Sequence, residues 1–244
     1  MFSRFGRYVL VMLKVFRKPD KFRVYRGQLV TEINNLGIDS LGIVLVISVF
    51  MGAVVAIQTA YNIDNPLIPL TMVGFTVRQS VILEFSPTII SLILAGKVGS
   101  RIASEIGTMR VTEQIDALEI MGINPANYLI FPKVSAAMIF NPVIISISMG
   151  FGLLGGYLVA VMTNLYTPQD YITGLRGWFD GFTIIYALIK TVVFAFLITS
   201  IAGFEGFAVK GGAIQGGEAS TRAVVWASIM IILFNLILTQ LLLS

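Results

Sequence analysis

The stretch at residues 41–61, LGIVLVISVFMGAVVAIQTAY, has no charged side chain, and the charge-free run extends from residue 40 to residue 63. A helix rises 1.5 Å per residue, so a run of this length crosses the hydrocarbon core of a bilayer, which is about 30 Å thick. The stretch therefore predicts a membrane-spanning helix.

The overall composition agrees with a chain that is mostly solvated by lipid. Of its 244 residues, 56% are hydrophobic and only 12% are charged, and the mean hydropathy is +0.87. The sequence has neither cysteine nor histidine, which excludes disulfides, Cys/His zinc sites and Ser-His-Asp triads. The first apolar stretch is interrupted by Arg4, Arg7 and Lys14 and has no small-residue cleavage site, so we do not expect it to be a signal peptide.

Further apolar runs predict four more spans, at residues 70–96, 134–162, 182–204 and 223–243. The second contains Pro87 and should be kinked there. Before the fifth, Gly211, Gly212, Gly216 and Gly217 suggest a flexible turn, with Ser220 or Thr221 near the helix N-cap. An odd number of spans is not compatible with the paired inverted halves of secondary transporters.

The N-terminal segment, residues 2–18, has the two-sided pattern of a helix that lies in the membrane interface, although a plain cytoplasmic tail is the alternative. Its apolar side is formed by Phe2, Phe5, Val9, Met12 and Phe16, and its basic side by Arg4, Arg7, Lys14 and Lys18. The predicted fold is therefore an all-α membrane protein in two parts. Residues 1–32 form an interfacial helix and connector, and residues 33–244 form a five-helix transmembrane domain.

The distribution of basic residues predicts the orientation in the membrane. Fourteen of the 17 Lys and Arg fall in residues 1–32, 97–133 and 203–222, which lie on one side if there are five spans. The positive-inside rule then puts the N-terminus in the cytoplasm and the C-terminus outside. The basic cluster at residues 1–32 suits an anionic membrane leaflet, and we expect no nucleic-acid partner.

Residues 99–132, between the second and third spans, are unusually polar. If they are helical, the side chains of Glu105, Thr112, Glu113, Asp116 and Glu119 share one face, and Val111, Ile115 and Leu118 lie opposite. An acidic face of this kind suits either a protein partner or simple solvation.

Several motifs in this region and beyond resemble the MlaE permease family, the membrane subunits of MCE-associated ABC lipid transporters. They are AGKVGS at 95–100, EIGTMRVTEQIDAL at 105–118, Met121-Gly122, Pro125, Glu84 with Pro87, IKTVVF at 189–194, Gly217 and ASTRAVV at 219–225. The resemblance covers about residues 40–225. One departure is Leu83, which stands before Glu84 where the family usually has arginine.

The resemblance implies a homodimer in the bacterial inner membrane that moves phospholipid or a related lipid to or from a periplasmic MCE-domain protein. A short cytoplasmic coupling helix within residues 105–121 would dock on an ABC ATPase subunit, and its contact residues would be Glu105, Arg110, Glu113, Gln114, Asp116 and Glu119. The resemblance also implies a lipid cavity near Val55, Gln58, Tyr61, Ile63, Leu67 and Phe85, for which ordinary helix packing is the alternative.

Charged residues inside the spans are costly in hydrocarbon and should face the bundle interior or a water-filled cavity. We expect Glu84 and Lys190 to form an ion pair between the second and fourth spans, with gating or headgroup contact as alternatives, and the role of Arg78 stays open. A competing function is an ion-coupled secondary transporter that uses Glu84 and Lys190. The sequence lacks a P-loop, so ATP hydrolysis is expected in a partner, and no metal or cofactor is predicted.

Overall fold

The computed structural model describes residues 2–17, 22–63 and 68–243, and this part of the chain contains eight helices and no strand. The helices are α1 (Phe2–Val15), α2 (Phe22–Glu32, continued by Ile33–Ile38 and Asp39–Tyr61), α3 (Thr71–Val111), α4 (Gln114–Ile120), α5 (Pro125–Met162), α6 (Pro168–Arg176), α7 (Phe182–Phe207) and α8 (Ala213–Leu243). Five of them, α2, α3, α5, α7 and α8, are long and apolar enough to cross a membrane. The predicted all-α fold with five spans is confirmed.

Three of the helices extend beyond the spans predicted from the sequence. The helix of the second span continues to Val111, α5 begins at Pro125, and α8 begins at Ala213. Gly216 and Gly217 are consequently helical and are not in a turn. A Cβ added at Gly107 on α3 would lie 3.3 Å from Val209 Cγ2 and 3.6 Å from the Gly216 Cα, so α3 and the start of α8 are in contact at Gly107.

The chain divides into two compact units, and the first comprises Met1–Ser40, Ser91–Asn141 and Val192–Ser244. Here α1 packs on α7. The Tyr8 hydroxyl donates a 2.9 Å hydrogen bond to Ser200 Oγ, and the Tyr8 ring meets Phe204 edge-on at 5.5 Å. Burial raises the pKa of Tyr8, so its hydroxyl stays protonated as a donor.

The C-terminal end of α1 is fixed by two asparagines at the start of α5. Asn124 Nδ2 donates to the Lys14 carbonyl, and Asn127 Nδ2 donates to the carbonyls of Val15 and Arg17. These bonds satisfy carbonyls that a helix end leaves without partners. The helix is therefore docked and is not a free tail.

The predicted two faces of α1 are present only in part. Phe5, Val9 and Phe16 are exposed, whereas Met12 is buried and Arg4 contacts a buried carboxylate. Lys18 lies outside the described residues, and the side chain of Phe2 is not described.

The second unit comprises Leu41–Ile90 and Pro142–Thr191, and glycines set its helix crossings. A Cβ at Gly155 on α5 would clash with the Val49 carbonyl on α2, and a Cβ at Gly174 on α6 would clash with the Thr71 carbonyl on α3. Small residues let helix backbones approach closely in membranes, where interhelical packing replaces the hydrophobic effect.

Two buried tyrosines complete the core of this unit. The Tyr166 hydroxyl donates a 2.7 Å hydrogen bond to the Gly156 carbonyl, and the Tyr171 hydroxyl donates one of 2.9 Å to the Leu153 carbonyl. Burial raises the pKa of Tyr166 to about 12, so the hydroxyl remains a donor at physiological pH. The loop and the short helix after α5 are thereby fixed to α5.

Candidate functional site

The charged pair inside the spans is present in the second unit. Lys190 Nζ on α7 lies 2.9 Å from Glu84 Oε1 on α3 and also donates to the Tyr186 hydroxyl at 3.0 Å. Glu84 Oε2 accepts a hydrogen bond of 3.1 Å from Thr88. The contact expected between the second and fourth spans is therefore formed, and it satisfies a lysine that is fully buried.

Lys190 also contacts the main chain of α3 close to Pro87. Proline has no N–H to donate within a helix, and Lys190 Nζ donates to the carbonyl of Leu83, four residues before it, at 3.1 Å. Locally α3 widens into a π-helix over Val81–Ile89, a distortion that often occurs at functional positions. The lysine thus binds both a carboxylate and a main-chain carbonyl of this distorted segment.

The two side chains of the Glu84–Lys190 pair differ sharply in their exposed fraction. The Lys190 side chain is 0% exposed, whereas the Glu84 side chain is 42% exposed. The carboxylate is therefore the accessible member, and a polar ligand group would meet Glu84 before Lys190.

Arg78 is buried but belongs to a different cluster. Its guanidinium donates to the carbonyls of Leu175, Gly177 and Trp178 at 2.5, 2.8 and 3.1 Å. It also lies 5.2 Å from the ring centroid of Phe75 and 5.6 Å from that of Phe179. Arg78 therefore binds the C-terminal end of α6, where helix carbonyls favour a cation.

The residues predicted to lie near a lipid cavity differ in how deeply they are buried. Val55 and Ile63 pack against the buried core of the second unit, and Phe85 is half-buried. Gln58 and Tyr61 are exposed. Leu67 lies outside the described residues.

The polar segment between the second and third spans is not one continuous helix, so the predicted single acidic face is wrong. The helix α3 ends at Val111, Glu113 adopts a left-handed backbone with φ of 60°, and α4 then spans only Gln114–Ile120. The apolar side predicted for this segment is partly retained, because Ile115 is buried and Val111 and Leu118 are half-buried.

The residues predicted to couple to an ATPase are separated by this break. Glu105 lies on α3, where its carboxylate pairs with Lys133 Nζ at 2.9 Å. Arg110 bridges the break and pairs with Asp116 at 2.6 Å. Glu113, Gln114 and Glu119 remain exposed.

The sequence of this chain matches known permeases over nearly its whole length. The family described as "Permease MlaE" matches residues 29–241. A "Probable ABC transporter permease protein" of Rickettsia bellii is 34% identical, over 97% of this chain and 91% of the relative. The "Intermembrane phospholipid transport system permease protein MlaE" of Haemophilus influenzae is 30% identical, over 98% of this chain and 91% of the relative.

This chain belongs to the MlaE permease family. The resemblance seen in the sequence motifs is thereby confirmed, and the chain is a multi-pass membrane protein of the ABC permease type. The family match covers residues 29–241, which is most of α2 and nearly everything after it, and it leaves α1 outside.

Two features of this MlaE permease were missed from sequence. The first is Lys133 on α5, which is 3% exposed and pairs with both Glu32 and Glu105, at 2.6 and 2.9 Å. A signal was available, because Lys133 is the only charged residue between Glu119 and Asp170. A lone charge at the edge of an apolar run usually requires a partner when it is buried.

The second missed feature is an apolar tip at the end of α4. Ile120 is 87% exposed and Met121 is 65% exposed. Gly122 follows with φ of +76°, and this left-handed residue ends the short helix. Two large apolar side chains at the end of a short polar helix are typical of a surface that inserts into a partner.

Proposed function

We propose that this chain is the permease subunit of an ABC transporter that moves phospholipid or a related lipid between the bacterial inner membrane and a periplasmic MCE-domain protein. The observation that carries the proposal is the match, over 98% of this chain, to a relative named as an intermembrane phospholipid transport permease. The chain has no P-loop, so the energy must come from ATP hydrolysis in a partner subunit.

The surface that would receive the ATPase is formed by α4 and the residue that follows it. It combines two exposed carboxylates, Glu113 and Glu119, with the exposed apolar pair Ile120 and Met121. Buried Ile115 supports the opposite side of the same helix. We infer that the apolar tip enters a groove on the ATPase and that the carboxylates orient it, because charges at an interface rim set orientation and apolar contacts supply affinity.

We further infer a homodimer. The helix α8 is the least buried of the five spans, since only 11% of its apolar window is buried within the chain. Lipid can cover such a helix, but a two-chain lipid needs a larger enclosure than five helices provide. A second copy related by a two-fold axis would supply it, with the N-termini cytoplasmic as the basic residues predict.

Glu84 is the group that we assign to the transport path. A carboxylate that is held by Lys190 and still 42% exposed could orient a lipid headgroup. The same pair could serve an ion-coupled secondary transporter, and the two functions differ in their energy source.

The deciding experiment uses proteoliposomes. The chain is reconstituted with its ATPase and accessory subunits, and transfer of a fluorescent phospholipid to or from a soluble MCE domain is measured. We expect transfer that requires ATP and stops when the catalytic lysine of the ATPase P-loop is replaced. Transfer by the chain alone that follows a proton or sodium gradient would instead establish the secondary transporter.

A further inference from the structure

A group of exposed aromatic side chains follows α6, in a segment that we call the aromatic loop (residues 177–182). Trp178 is 80% exposed, Phe179 is 56% exposed and Phe182 is 43% exposed. Large aromatic side chains are seldom left open to water together, so a covering surface is expected.

The backbone of this loop is held in a defined conformation. Trp178 has φ of 46°, a left-handed conformation that is strained for a bulky residue. The three hydrogen bonds from Arg78 to the carbonyls of Leu175, Gly177 and Trp178 hold it there. The Trp178 ring contacts Phe75 edge-on at 5.8 Å, and most of the residue's surface is open. The buried arginine therefore fixes a loop whose tryptophan points outward.

The position of the loop along the chain limits what can cover it. Phe182 is the first residue of α7, a membrane span, and Trp178 lies only four residues before it. Four residues reach at most about 14 Å, so Trp178 must lie close to the boundary between hydrocarbon and water. Tryptophan is enriched at that boundary because its ring is amphipathic.

An exposed cationic side chain lies next to the aromatic loop in the sequence. Arg176, two residues before Trp178, is exposed and forms no ion pair with another described residue. Exposed arginine beside tryptophan suits the phosphate and glycerol region of a bilayer.

We propose that the aromatic loop is a membrane anchor that inserts Trp178 and Phe179 among the lipid headgroups on the side where α5 and α7 are connected. Arg78 acts as a positioning residue, because it fixes the loop backbone without touching lipid. The anchor would hold this end of the bundle at a constant depth in the bilayer.

The chain has two tryptophans, which makes a direct test possible. The Trp226→Phe protein retains only Trp178 and is placed in lipid nanodiscs, where both faces are open to solutes. Its fluorescence is measured with lipids brominated near the headgroup, with lipids brominated near the chain ends, and with aqueous iodide. The Trp178→Phe protein, which retains Trp226 within a span, is the control.

We expect a blue-shifted Trp178 emission that is quenched most by bromine near the headgroup and little by iodide. Strong quenching by iodide without quenching by bromine would overturn the anchor, since the loop would then project into water. Absence of quenching by either would also overturn it, because protein would then cover the ring. When Arg78→Gln is added to the Trp226→Phe protein, we expect Trp178 to lose its quenching by bromine near the headgroup. In the Arg78→Gln, Trp178→Phe protein, we expect the quenching of Trp226 to be unchanged.

Discussion

Lys190 donates a hydrogen bond to the main-chain carbonyl of Leu83 at 3.1 Å, within the π-helical segment of α3 that contains Pro87. The same ammonium group neutralises Glu84 at 2.9 Å. In a lipid environment an uncompensated carboxylate costs a few kcal/mol. One lysine therefore neutralises Glu84 and also binds the main chain of the distorted segment of α3.

The first prediction concerns this pair. Lys190→Met should reduce the folded yield in membranes and lower the thermal midpoint, because it removes the ammonium that compensates Glu84, and an uncompensated charge within a span costs about 2.5–3.5 kcal/mol on insertion scales. Adding Glu84→Gln should recover part of the loss, since no carboxylate is then stranded. Lys210→Ala is the control, because Lys210 is exposed. Equal behaviour of Lys190→Met and Lys210→Ala would mean that the pair does not stabilise the fold.

The second prediction uses two glycines of α5. Gly155→Ala should lower the yield of folded protein, because its Cβ would clash with the main-chain carbonyl of Val49 and separate α5 from α2. At Gly150 an added Cβ meets nothing within 4 Å. Gly150→Ala should therefore be neutral or stabilising by up to about 1 kcal/mol, as alanine is the better helix former. Thermal unfolding in detergent compares the two, and a Gly155→Ala protein as stable as Gly150→Ala would exclude a close crossing.

The number of spans and the Glu84–Lys190 contact could be predicted because hydrocarbon imposes strong rules. A charge-free run of about 20 residues has few alternatives to a spanning helix. Two opposite charges within such runs must either form an ion pair or be hydrated. Neither argument requires knowledge of tertiary packing.

The helix ends could not be predicted, because they depend on partners distant in sequence. The helix of the second span continues past residue 96 because the charged side chains there have partners on other helices. Lys97 donates to the Asp39 carbonyl, Arg101 pairs with Asp39, and Glu105 pairs with Lys133. Gly216 suggested a turn, but it lies in the first turns of α8, beside Gly107 of α3. The break at Glu113 also gave no signal, since glutamate seldom adopts a left-handed backbone.

The third prediction concerns the docking of α1. Arg4 contacts both carboxylate oxygens of Glu205 at 2.9 and 2.6 Å, and Glu205 is 4% exposed. Arg4→Gln should loosen α1, because it leaves this carboxylate with Arg222 alone, at 3.5 Å. The expected cost is about 1–3 kcal/mol. Hydrogen exchange should be faster across α1 in Arg4→Gln.

Arg7→Gln is the matched control, since Arg7 is exposed on the same helix. It removes the same charge from the same segment without stranding Glu205. If both variants accelerated exchange equally, the general attraction of α1 to anionic lipid, and not the Arg4–Glu205 contact, would determine its docking.

The last prediction separates the coupling surface from the core of the same short helix. Ile120 and Ile115 both lie on α4, but Ile120 is 87% exposed and Ile115 is fully buried. Ile120→Asp should abolish co-purification of the ATPase while the permease still reaches the membrane in normal amount, because the side chain meets water until the partner arrives. Ile115→Asp should reduce the amount of permease itself, since it buries an unpaired carboxylate.

Reversing Glu113 and Glu119 together to Lys should weaken ATPase binding in a salt-dependent way, because exposed charges act through screened attraction. Asp116 is left unchanged, as its pairing with Arg110 would confuse a local structural effect with a coupling effect. Normal retention of the ATPase by Ile120→Asp, together with normal lipid-stimulated hydrolysis, would show that the apolar tip is not the coupling surface.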